Sequence, residues 1–351
     1  HAPARSGGGR GEEAGPPNRG QQTAILDRRM RLEWGRKHYQ GGTKAVRDPN
    51  REVRSGETCV LGGPSGCGKS TTLRMINRLI EPTSGKILVG GEDVTHVDPV
   101  ALRLKMGYVI QRTGLFPHQT VGENVATVPR LWGWDRARIS SRIDELLELV
   151  GLDPASYRSR YPQQLSGGQQ QRVGFARALG ADPPILLMDE PFGAVDRITR
   201  ERLQNEFLRI QRTLHKTVVF VTHDIDEAVR VGDRIALLNF GAKIEQYATP
   251  AEVLGRPAND FVTGFLGHER VLKLLSVTPI DPASLNRSAH PAELPRVPAS
   301  STLADALANL LEAGSDSVPV YDDGRYLGDF TAHSLQESLR ALPAPEGNGH
   351  G

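Results

Sequence analysis

The stretch at residues 62–71, GGPSGCGKST, decides the fold of this chain. Gly63, Gly68, Lys69 and Ser70 fill the fixed positions of the pattern G-x-x-x-x-G-K-S. Glycines let the backbone N–H groups of such a loop close around phosphate oxygens. In this pattern the lysine reaches the β- and γ-phosphates of a nucleotide, and the serine hydroxyl is offered to Mg²⁺. The residues predicted to contact the nucleotide are Gly63, Pro64, Ser65, Gly66, Cys67, Gly68, Lys69, Ser70 and Thr71.

Apolar runs and helical patterns alternate along most of the chain. Continuous apolar runs at 58–63, 185–190 and 216–224 predict buried strands, and GYVIQ at 107–111 predicts another. The glycine-rich loop lies between the first of these strands and a helix predicted at 70–80, which is the context that a phosphate-binding loop requires. Buried strands that alternate with helices are typical of an α/β fold with a mostly parallel sheet. The expected fold class is therefore a P-loop NTPase.

The composition favours about two domains and no membrane span. The chain has 351 residues, of which 38% are hydrophobic, and its apolar runs are far shorter than the ~18 residues that a spanning helix needs. Two cysteines in such a length make no disulfide framework, so a reducing compartment is expected. The Gly/Pro/Arg-rich beginning of the chain has no apolar core of the kind that a signal peptide requires.

The charge is unevenly distributed. Residues 271–351 contain five Lys/Arg and ten Asp/Glu, a net of −5, which leaves +7 for residues 1–270 within the total of +2. This asymmetry predicts two modules. The two parts are expected to attract each other across an exposed contact that weakens as salt rises.

A second motif, ILLMDE at 185–190, ends a predicted buried strand with two acids. Asp189 is placed to hold Mg²⁺ through water, and Glu190 is placed to polarise an attacking water. The alternative is that the two acids only cap the strand.

A third motif, LSGGQQQR at 165–172, precedes a helix predicted at about 170–180. The backbone N–H groups of Ser166, Gly167 and Gly168, together with the helix N-terminus, predict a second anion site in the same chain. One phosphate-binding loop already satisfies one triphosphate, so the second site is expected to bind the γ-phosphate of a nucleotide held by another subunit. The alternative is a plain Ser-Gly-Gly turn.

With these three motifs, residues 30–270 resemble the ATP-binding subunits of ABC transporters, for which LSGGQ is the signature. The resemblance implies that two subunits sandwich two ATP molecules head to tail, with Ser166, Gly167, Gly168 and Gln169 at the nucleotide of the partner. It implies ATP and Mg²⁺ as cofactors, with Ser70, Gln111 and Asp189 at the metal.

The same resemblance assigns roles to four further residues. Gln111 matches the glutamine that senses Mg²⁺ and contacts the membrane partner, and His223 matches the switch histidine at the γ-phosphate. With Glu190, these are the predicted catalytic residues. Asp196 matches the aspartate that crosses the dimer interface. Tyr39 matches the aromatic residue that stacks on adenine, although a loop tyrosine is a nearly equal alternative. Residues 47–54, RDPNREVR, depart from the apolar strand pattern usual at that place.

Residues 107–131 and 216–238 look like the ATPases that import glycine betaine, choline, carnitine or proline. Residues 297–339 resemble one CBS repeat: a helix, a short VPVY strand, a DDGR turn, a YLGDF strand and a helix. Ser334 stands where nucleotide-binding CBS motifs carry an aspartate, so a folding or dimer-contact module is favoured over a nucleotide sensor.

The sequence thus predicts the ATPase subunit of a bacterial importer for quaternary amine osmoprotectants. Its expected partners are a second ATPase subunit, a membrane permease and, indirectly, an extracytoplasmic substrate-binding protein; no nucleic acid is expected. Its expected place is the cytoplasmic face of the membrane, through the permease. The alternatives are an importer ATPase for another small solute, a non-transport ABC ATPase, and a C-terminal ligand sensor with the ATPase as its output.

The predicted organisation has five parts. They are a disordered tail at 1–24, an ABC domain at 30–270 with a helical subdomain at about 115–175, a linker at 271–296, a single CBS-like module at 297–340 and a disordered tail at 341–351. A thiol close to Lys69 and to a helix N-terminus is expected to be acidified, so Cys67 is predicted to be reactive towards N-ethylmaleimide. The alternative is a small filler residue whose side chain points away from the nucleotide.

Overall fold

The described part of the chain covers most of the predicted domains. The computed structural model describes residues 30–32, 37–38, 44–45, 51–111, 114–193, 195–286 and 294–341. Tyr39, the tail predicted at 1–24 and all but the first residue of the tail predicted at 341–351 lie outside the described residues.

Fifteen strands are formed by the described residues. They are β1 (Met30–Leu32), β2 (Lys37–His38), β3 (Lys44–Ala45), β4 (Arg51–Val53), β5 (Thr58–Gly62), β6 (Leu88–Val89), β7 (Glu92–Asp93), β8 (Met106–Val109), β9 (Ile185–Asp189), β10 (Thr217–Val221), β11 (Arg234–Asn239), β12 (Lys243–Ala248), β13 (Val297–Pro298), β14 (Ser317–Asp322) and β15 (Arg325–Thr331).

Fourteen α-helices are formed by the same residues. They are α1 (Lys69–Ile76), α2 (Pro99–Leu104), α3 (Val121–Val125), α4 (Thr127–Leu131), α5 (Arg136–Leu149), α6 (Pro154–Tyr157), α7 (Gly167–Leu179), α8 (Arg197–Leu214), α9 (Ile225–Val231), α10 (Pro250–Gly255), α11 (Asp260–Leu266), α12 (Arg270–Val277), α13 (Leu303–Glu312) and α14 (Ala332–Arg340).

The central sheet has six strands in the order β12-β11-β5-β10-β9-β8. All neighbouring strands are parallel except β12, which pairs antiparallel with β11. Every residue of β5, β9 and β10 is buried, as expected for apolar strands covered on both faces. The predicted mostly parallel sheet is confirmed. Its carboxyl edge brings together the loops that follow β5, β8, β9 and β10.

Two predicted helices differ at one end. The helix after the phosphate loop ends at Ile76 rather than at residue 80, because Arg78 adopts the left-handed region with φ of 52°. Helix α7 begins at Gly167, three residues before the predicted start, because Ser166 caps it. The signature glycines therefore belong to the first turn of the helix.

A smaller antiparallel sheet has the strand order β4-β1-β6-β7. It includes part of the segment at 47–54, which departs from the expected strand pattern. Residues 51–53 form β4 and pair with β1, in the register Met30 with Val53. The Val53 side chain is buried in the apolar core that also contains Cys67 and Leu73, although its neighbours in the strand are polar. Within 47–54, a short edge strand thus forms beyond Pro49.

The helical segment at 115–175 contains α3 to α6 and the first part of α7. Its apolar residues join the main core, where Val125, Leu146, Leu147 and Val173 are fully buried. This core extends below the central sheet to α8 and α10. The signature motif is consequently held on the same packed body as the strands.

The region predicted as a linker begins inside α12. Leu274 packs in the main core, whereas Leu275 packs in a separate core formed by the C-terminal residues. That second core lies between the sheet β13-β14-β15 and the helices α13 and α14. The order of elements is the helix, strand, turn, strand and helix that the sequence predicts; the relation to CBS repeats stays a prediction.

Candidate nucleotide-binding site

The phosphate loop leaves β5 and enters α1 through three left-handed glycines. Gly63, Gly66 and Gly68 have φ values of 145°, 80° and 114°. A Cβ on Gly63 would overlap the carbonyl oxygen of Leu238, and one on Gly68 would lie 2.9 Å from the Cβ of Ala242. Glycine is therefore required at Gly63 and Gly68 by both the backbone conformation and the close approach of the β11–β12 hairpin.

Lys69 lies under the loop that it follows. Its Nζ donates hydrogen bonds to the carbonyl oxygens of Gly63 at 2.7 Å and Pro64 at 2.9 Å, and only 5% of the residue is exposed. The amides of Ser70 and Thr71 lie in the first turn of α1, where a helix has no internal acceptor for its N–H groups. The ammonium group and these amides belong to one short loop and helix start, and such a set of donors suits an anion.

The Cys67 side chain points into the protein interior. Its side chain is completely buried in the core next to Gly63, and the loop is closed by a bond from its amide to the carbonyl of Pro64. Burial raises the pKa of the Cys67 thiol, and this outweighs the opposite effect of Lys69, whose Nζ lies 3.9 Å from the sulfur. The predicted acidification is wrong, and only the backbone of Cys67 is available to a nucleotide.

Ser70 and Asp189 meet at the first turn of α1. The Ser70 hydroxyl donates a hydrogen bond of 2.8 Å to Asp189 Oδ1, and Asp189 is almost fully buried at the end of β9. Among the described residues there is no group of three or more His, Cys, Asp or Glu side chains that could hold a metal by themselves. A hydroxyl beside a carboxylate fits Mg²⁺, which takes few protein ligands and completes its shell with phosphate oxygens and water.

Two of the predicted catalytic side chains contact the carboxylate of the third. Gln111 Nε2 donates to Glu190 Oε2 at 2.9 Å, and His223 Nδ1 lies 3.1 Å from Glu190 Oε1. Gln111 follows β8, Glu190 follows β9 and His223 follows β10, so the parallel sheet brings them to one edge. Glu190 itself has φ of 44°, a conformation that costs on the order of 1–3 kcal/mol in a residue other than glycine. Such strain is typical of functional positions.

The signature motif forms the start of α7. The Ser166 hydroxyl accepts from the amide of Gln169 at 3.3 Å, and Gln169 Oε1 accepts from the amide of Ser166 at 2.9 Å. This capping box uses the Ser166 N–H, which was predicted to bind an anion. The amides of Gly167 and Gly168 remain in the first turn of the helix, where the positive end of its dipole lies.

Asp196 is exposed at the start of α8. Its carboxylate accepts from the amide of Thr199 at 3.0 Å, and hydrogen bonds from Thr199 lower the pKa of Asp196. The residue is therefore ionised at neutral pH and caps α8.

The β11–β12 hairpin belongs to the site, although no sequence pattern identifies it. The amide of Ala242 donates to the carbonyl of Cys67 at 2.7 Å, across 175 residues, and Leu238 lies behind Gly63. Glu227, on α9, is a buried carboxyl group outside the residues that contact the phosphate loop. It accepts from Gln204 at 3.2 Å, and burial raises its pKa.

Comparison with known proteins shows the family of this chain. The ABC transporter family model matches residues 46–193. The osmoprotectant import ATP-binding protein OsmV of Salmonella typhimurium is 58% identical over 232 residues, which are 66% of this chain and 60% of that protein. The glycine betaine/carnitine/choline transport ATP-binding protein OpuCA of Bacillus subtilis is 50% identical over 293 residues, 84% of this chain and 75% of that protein.

The chain belongs to the ATP-binding proteins of ABC transporters. Its fold agrees with the bacterial ABC transporter cassette MJ0796 in its dimeric structure, with a TM-score of 0.56 and 34% identity over 63% of this chain and 98% of that one. MJ0796 is also known in a post-hydrolysis state bound to ADP and Pi. The ABC cassette of this chain thus has the P-loop fold that the sequence predicts. The described residues include no helix long and apolar enough to cross a membrane.

Proposed function

We propose that this chain hydrolyses ATP to drive an importer of quaternary amine osmoprotectants such as glycine betaine. The observation that carries the ATPase proposal is the convergence of Gln111 and His223 on Glu190, beside the Ser70–Asp189 pair. The names of the relatives OsmV and OpuCA support the substrate class. The match covers 60% of the length of OsmV. The transport activity of the whole assembly is therefore proposed for this chain.

ATP binding requires a rearrangement of Lys69. Its ammonium group exchanges the carbonyl oxygens of Gly63 and Pro64 for phosphate oxygens, while the amides of Ser70 and Thr71 donate to the same anion. Since the two carbonyls already orient the ammonium group within the loop, the exchange needs only a short movement. Ser70 and Asp189 would hold Mg²⁺, which supplies charge neutralisation of the phosphates when bound.

Glu190 is the proposed general base. Its carboxylate accepts a proton from water as the water oxygen bonds to the γ-phosphorus, while the bond from that phosphorus to the β–γ bridging oxygen breaks and ADP leaves. Gln111 and His223 contact the two oxygens of this carboxylate, so both orient it. When the nucleotide is bound, each of these side chains can turn from Glu190 towards the phosphate, and the carboxylate is then available to water.

A second copy of the chain completes each site in this proposal. Gly167 and Gly168 donate to the γ-phosphate bound by the partner, and Asp196 faces the partner across the interface. The dimeric MJ0796 cassette supports this arrangement. Closure of the dimer on ATP and its reopening after hydrolysis move a membrane permease, which receives its solute from an extracytoplasmic binding protein. The chain then works at the cytoplasmic face of the membrane.

Reconstitution tests the proposal. The membrane protein that copurifies with the full chain is placed in liposomes with its binding protein, and uptake of labelled glycine betaine, choline and carnitine is measured with MgATP inside. ATP-dependent uptake that Lys69→Ala abolishes is expected. Hydrolysis with uptake of another solute only would contradict the substrate class. Hydrolysis without any copurifying membrane protein would contradict transport and favour a non-transport ABC ATPase.

A further inference from the structure

Gln171 connects the signature helix to the catalytic loop of the same subunit. It lies in α7, five residues after Ser166, and its Nε2 donates a hydrogen bond of 2.7 Å to the carbonyl oxygen of Pro191. Pro191 directly follows Glu190. Five residues of helix span about 7.5 Å, so Gln171 lies one and a half turns from the end of α7 that carries the signature.

The position of Glu190 depends on this short loop. Its amide donates to the carbonyl of Val221 at 3.0 Å, and its carbonyl accepts from Gly193 at 3.1 Å. These bonds fix the loop to β10 and close its turn. On the opposite side, α7 contacts the loop through the Gln171 side chain. Glu190 is held in the left-handed region, and Pro191 is bonded directly to it. A displacement of Pro191 therefore rotates the Glu190 backbone and changes the direction of the Glu190 carboxylate.

The packing around Gln171 leaves room for such a displacement. A small, mostly apolar cavity of about 30 Å³ separates α7 from α8 and from the loop, and its lining includes Gln171, Phe175, Pro191, Phe192 and Phe207. Protein interiors are otherwise close-packed and rigid. Gln171 Oε1 is also buried, and among the described residues it has no hydrogen-bond partner. The side chain is thus fixed by its bond to Pro191.

We propose that Gln171 is a positioning residue that couples the two ATP sites of the dimer. The inference rests on the proposed function, in which Gly167 and Gly168 bind the nucleotide of the partner. Occupation of that site draws the N-terminus of α7 towards the phosphate, Gln171 transmits the movement to Pro191, and Glu190 of the same subunit takes its working position. Each catalytic carboxylate is thereby set only when the other ATP is bound.

The test compares Gln171→Met and Gln171→Glu with the wild-type full chain. Methionine keeps the shape and removes the donor, whereas glutamate places an acceptor against the Pro191 carbonyl. Gln211→Met is the matched control, because Gln211 Nε2 also donates to a backbone carbonyl, that of Gly56, at the opposite edge of the sheet. The measurements are the dependence of hydrolysis on ATP concentration, ATP-dependent dimerisation and thermal melting.

The wild type and Gln211→Met are expected to show a Hill coefficient well above 1, with an upper limit of 2 for two sites. Both Gln171 variants should give a Hill coefficient of about 1. Their melting temperatures should be no lower than that of Gln211→Met, which shows that the loss of coupling is not a loss of stability. An unchanged coefficient in Gln171→Met, or a coefficient of 1 in the wild type, would overturn the coupling. Absence of hydrolysis and of ATP-dependent dimerisation in the wild type would instead overturn the proposed function, and the coupling with it.

Discussion

The hydroxyl of Ser70 donates a hydrogen bond of 2.8 Å to the carboxylate of Asp189, although 119 residues separate the two in the sequence. Ser70 lies in the first turn of the helix after β5 and Asp189 ends β9, and β10 lies between these two strands in the sheet. The pair is the part of the site that would hold Mg²⁺.

Replacement of Ser70 should weaken the response to Mg²⁺. In Ser70→Ala, the Mg²⁺ concentration for half-maximal hydrolysis should rise by about 10–100-fold. This is the typical loss of metal affinity when a hydrogen-bonding side chain of a metal site is removed. Hydrolysis titrated with Mg²⁺ at constant ATP measures this. Thr83→Ala, which removes a hydroxyl from an exposed loop, is the control and should keep the wild-type value. Equal titration curves for all three proteins would show that Ser70 does not hold the metal.

Gly63→Ala should abolish ATP binding and destabilise the fold, since its Cβ would overlap the Leu238 carbonyl and its φ of 145° suits only glycine. Gly66→Ala is the matched control for stability. It has no atom within 4 Å of the added Cβ, so its cost is the left-handed backbone alone, about 1–2 kcal/mol. Thermal melting and binding of a fluorescent ATP analogue distinguish the two. A Gly63→Ala protein as stable as Gly66→Ala would contradict the packing of the hairpin on the loop.

Both cysteines should resist alkylation in the folded protein. Cys59 and Cys67 are buried, and burial raises the pKa of Cys67 and that of Cys59 from 9.0 to about 12. N-ethylmaleimide at pH 7 should therefore leave hydrolysis unchanged and label both thiols only after unfolding, as mass spectrometry would show. Rapid labelling of native Cys67, prevented by MgATP, would contradict the buried orientation.

The same thiols set a dependence of stability on pH. The unfolded chain loses the Cys59 proton near pH 9, whereas the folded chain keeps it to about pH 12. Because the folded state binds this proton more tightly, the contribution is complete below pH 9 and is lost as the pH rises. Denaturant unfolding from pH 8 to 10.5 should show a smaller loss of stability in Cys59→Ala than in the wild type.

The sequence predicted the motifs well, because the phosphate loop, the two acids and the signature depend on local backbone chemistry. The meeting of the phosphate loop with the two acids also followed, since the carboxyl ends of parallel strands share an edge. The sequence left the direction of the Cys67 side chain open, because nearness to Lys69 in the chain does not say which side of the loop a thiol faces. The contacts of Gln171 with Pro191 and of Ala242 with Cys67 depend on tertiary packing, and their residue types carry no pattern of their own.

The expected attraction between the basic and acidic parts of the chain takes an unexpected form. An ion pair of 2.6 Å joins Lys273 on α12, in the acidic C-terminal part, to Asp226 on α9, in the basic part. The signs of this pair are therefore opposite to the net charges of the two parts. Asp226 follows His223 by three residues, and its side chain is 66% exposed. Because the Asp226 side of the pair is open to solvent, salt screens the attraction between the two charges.

The Lys273–Asp226 ion pair predicts that salt weakens the contact between the C-terminal residues and the ABC domain. In liposomes with the permease, the full chain should be activated by salt, and Lys273→Gln should be active already at low salt. A chain cut after Thr278 removes the C-terminal module but keeps Lys273, and it keeps Leu274 in the main core, so it separates the effect of the module from that of the ion pair. Arg340→Gln, which alters an exposed pair within α14, is the control. Identical salt curves for all variants would leave the C-terminal module without a sensing role.

The turnover of Glu190→Gln tests the central claim most directly. If Glu190 is the general base, the variant should bind ATP normally, hydrolyse it about 10²–10⁴-fold more slowly and accumulate as an ATP-bound dimer. Glu145→Gln, the same change on the exposed face of α5, should retain wild-type turnover. Single-turnover hydrolysis with size-exclusion chromatography in MgATP gives both readouts. Near-normal turnover of Glu190→Gln without ATP-dependent dimerisation would contradict the account.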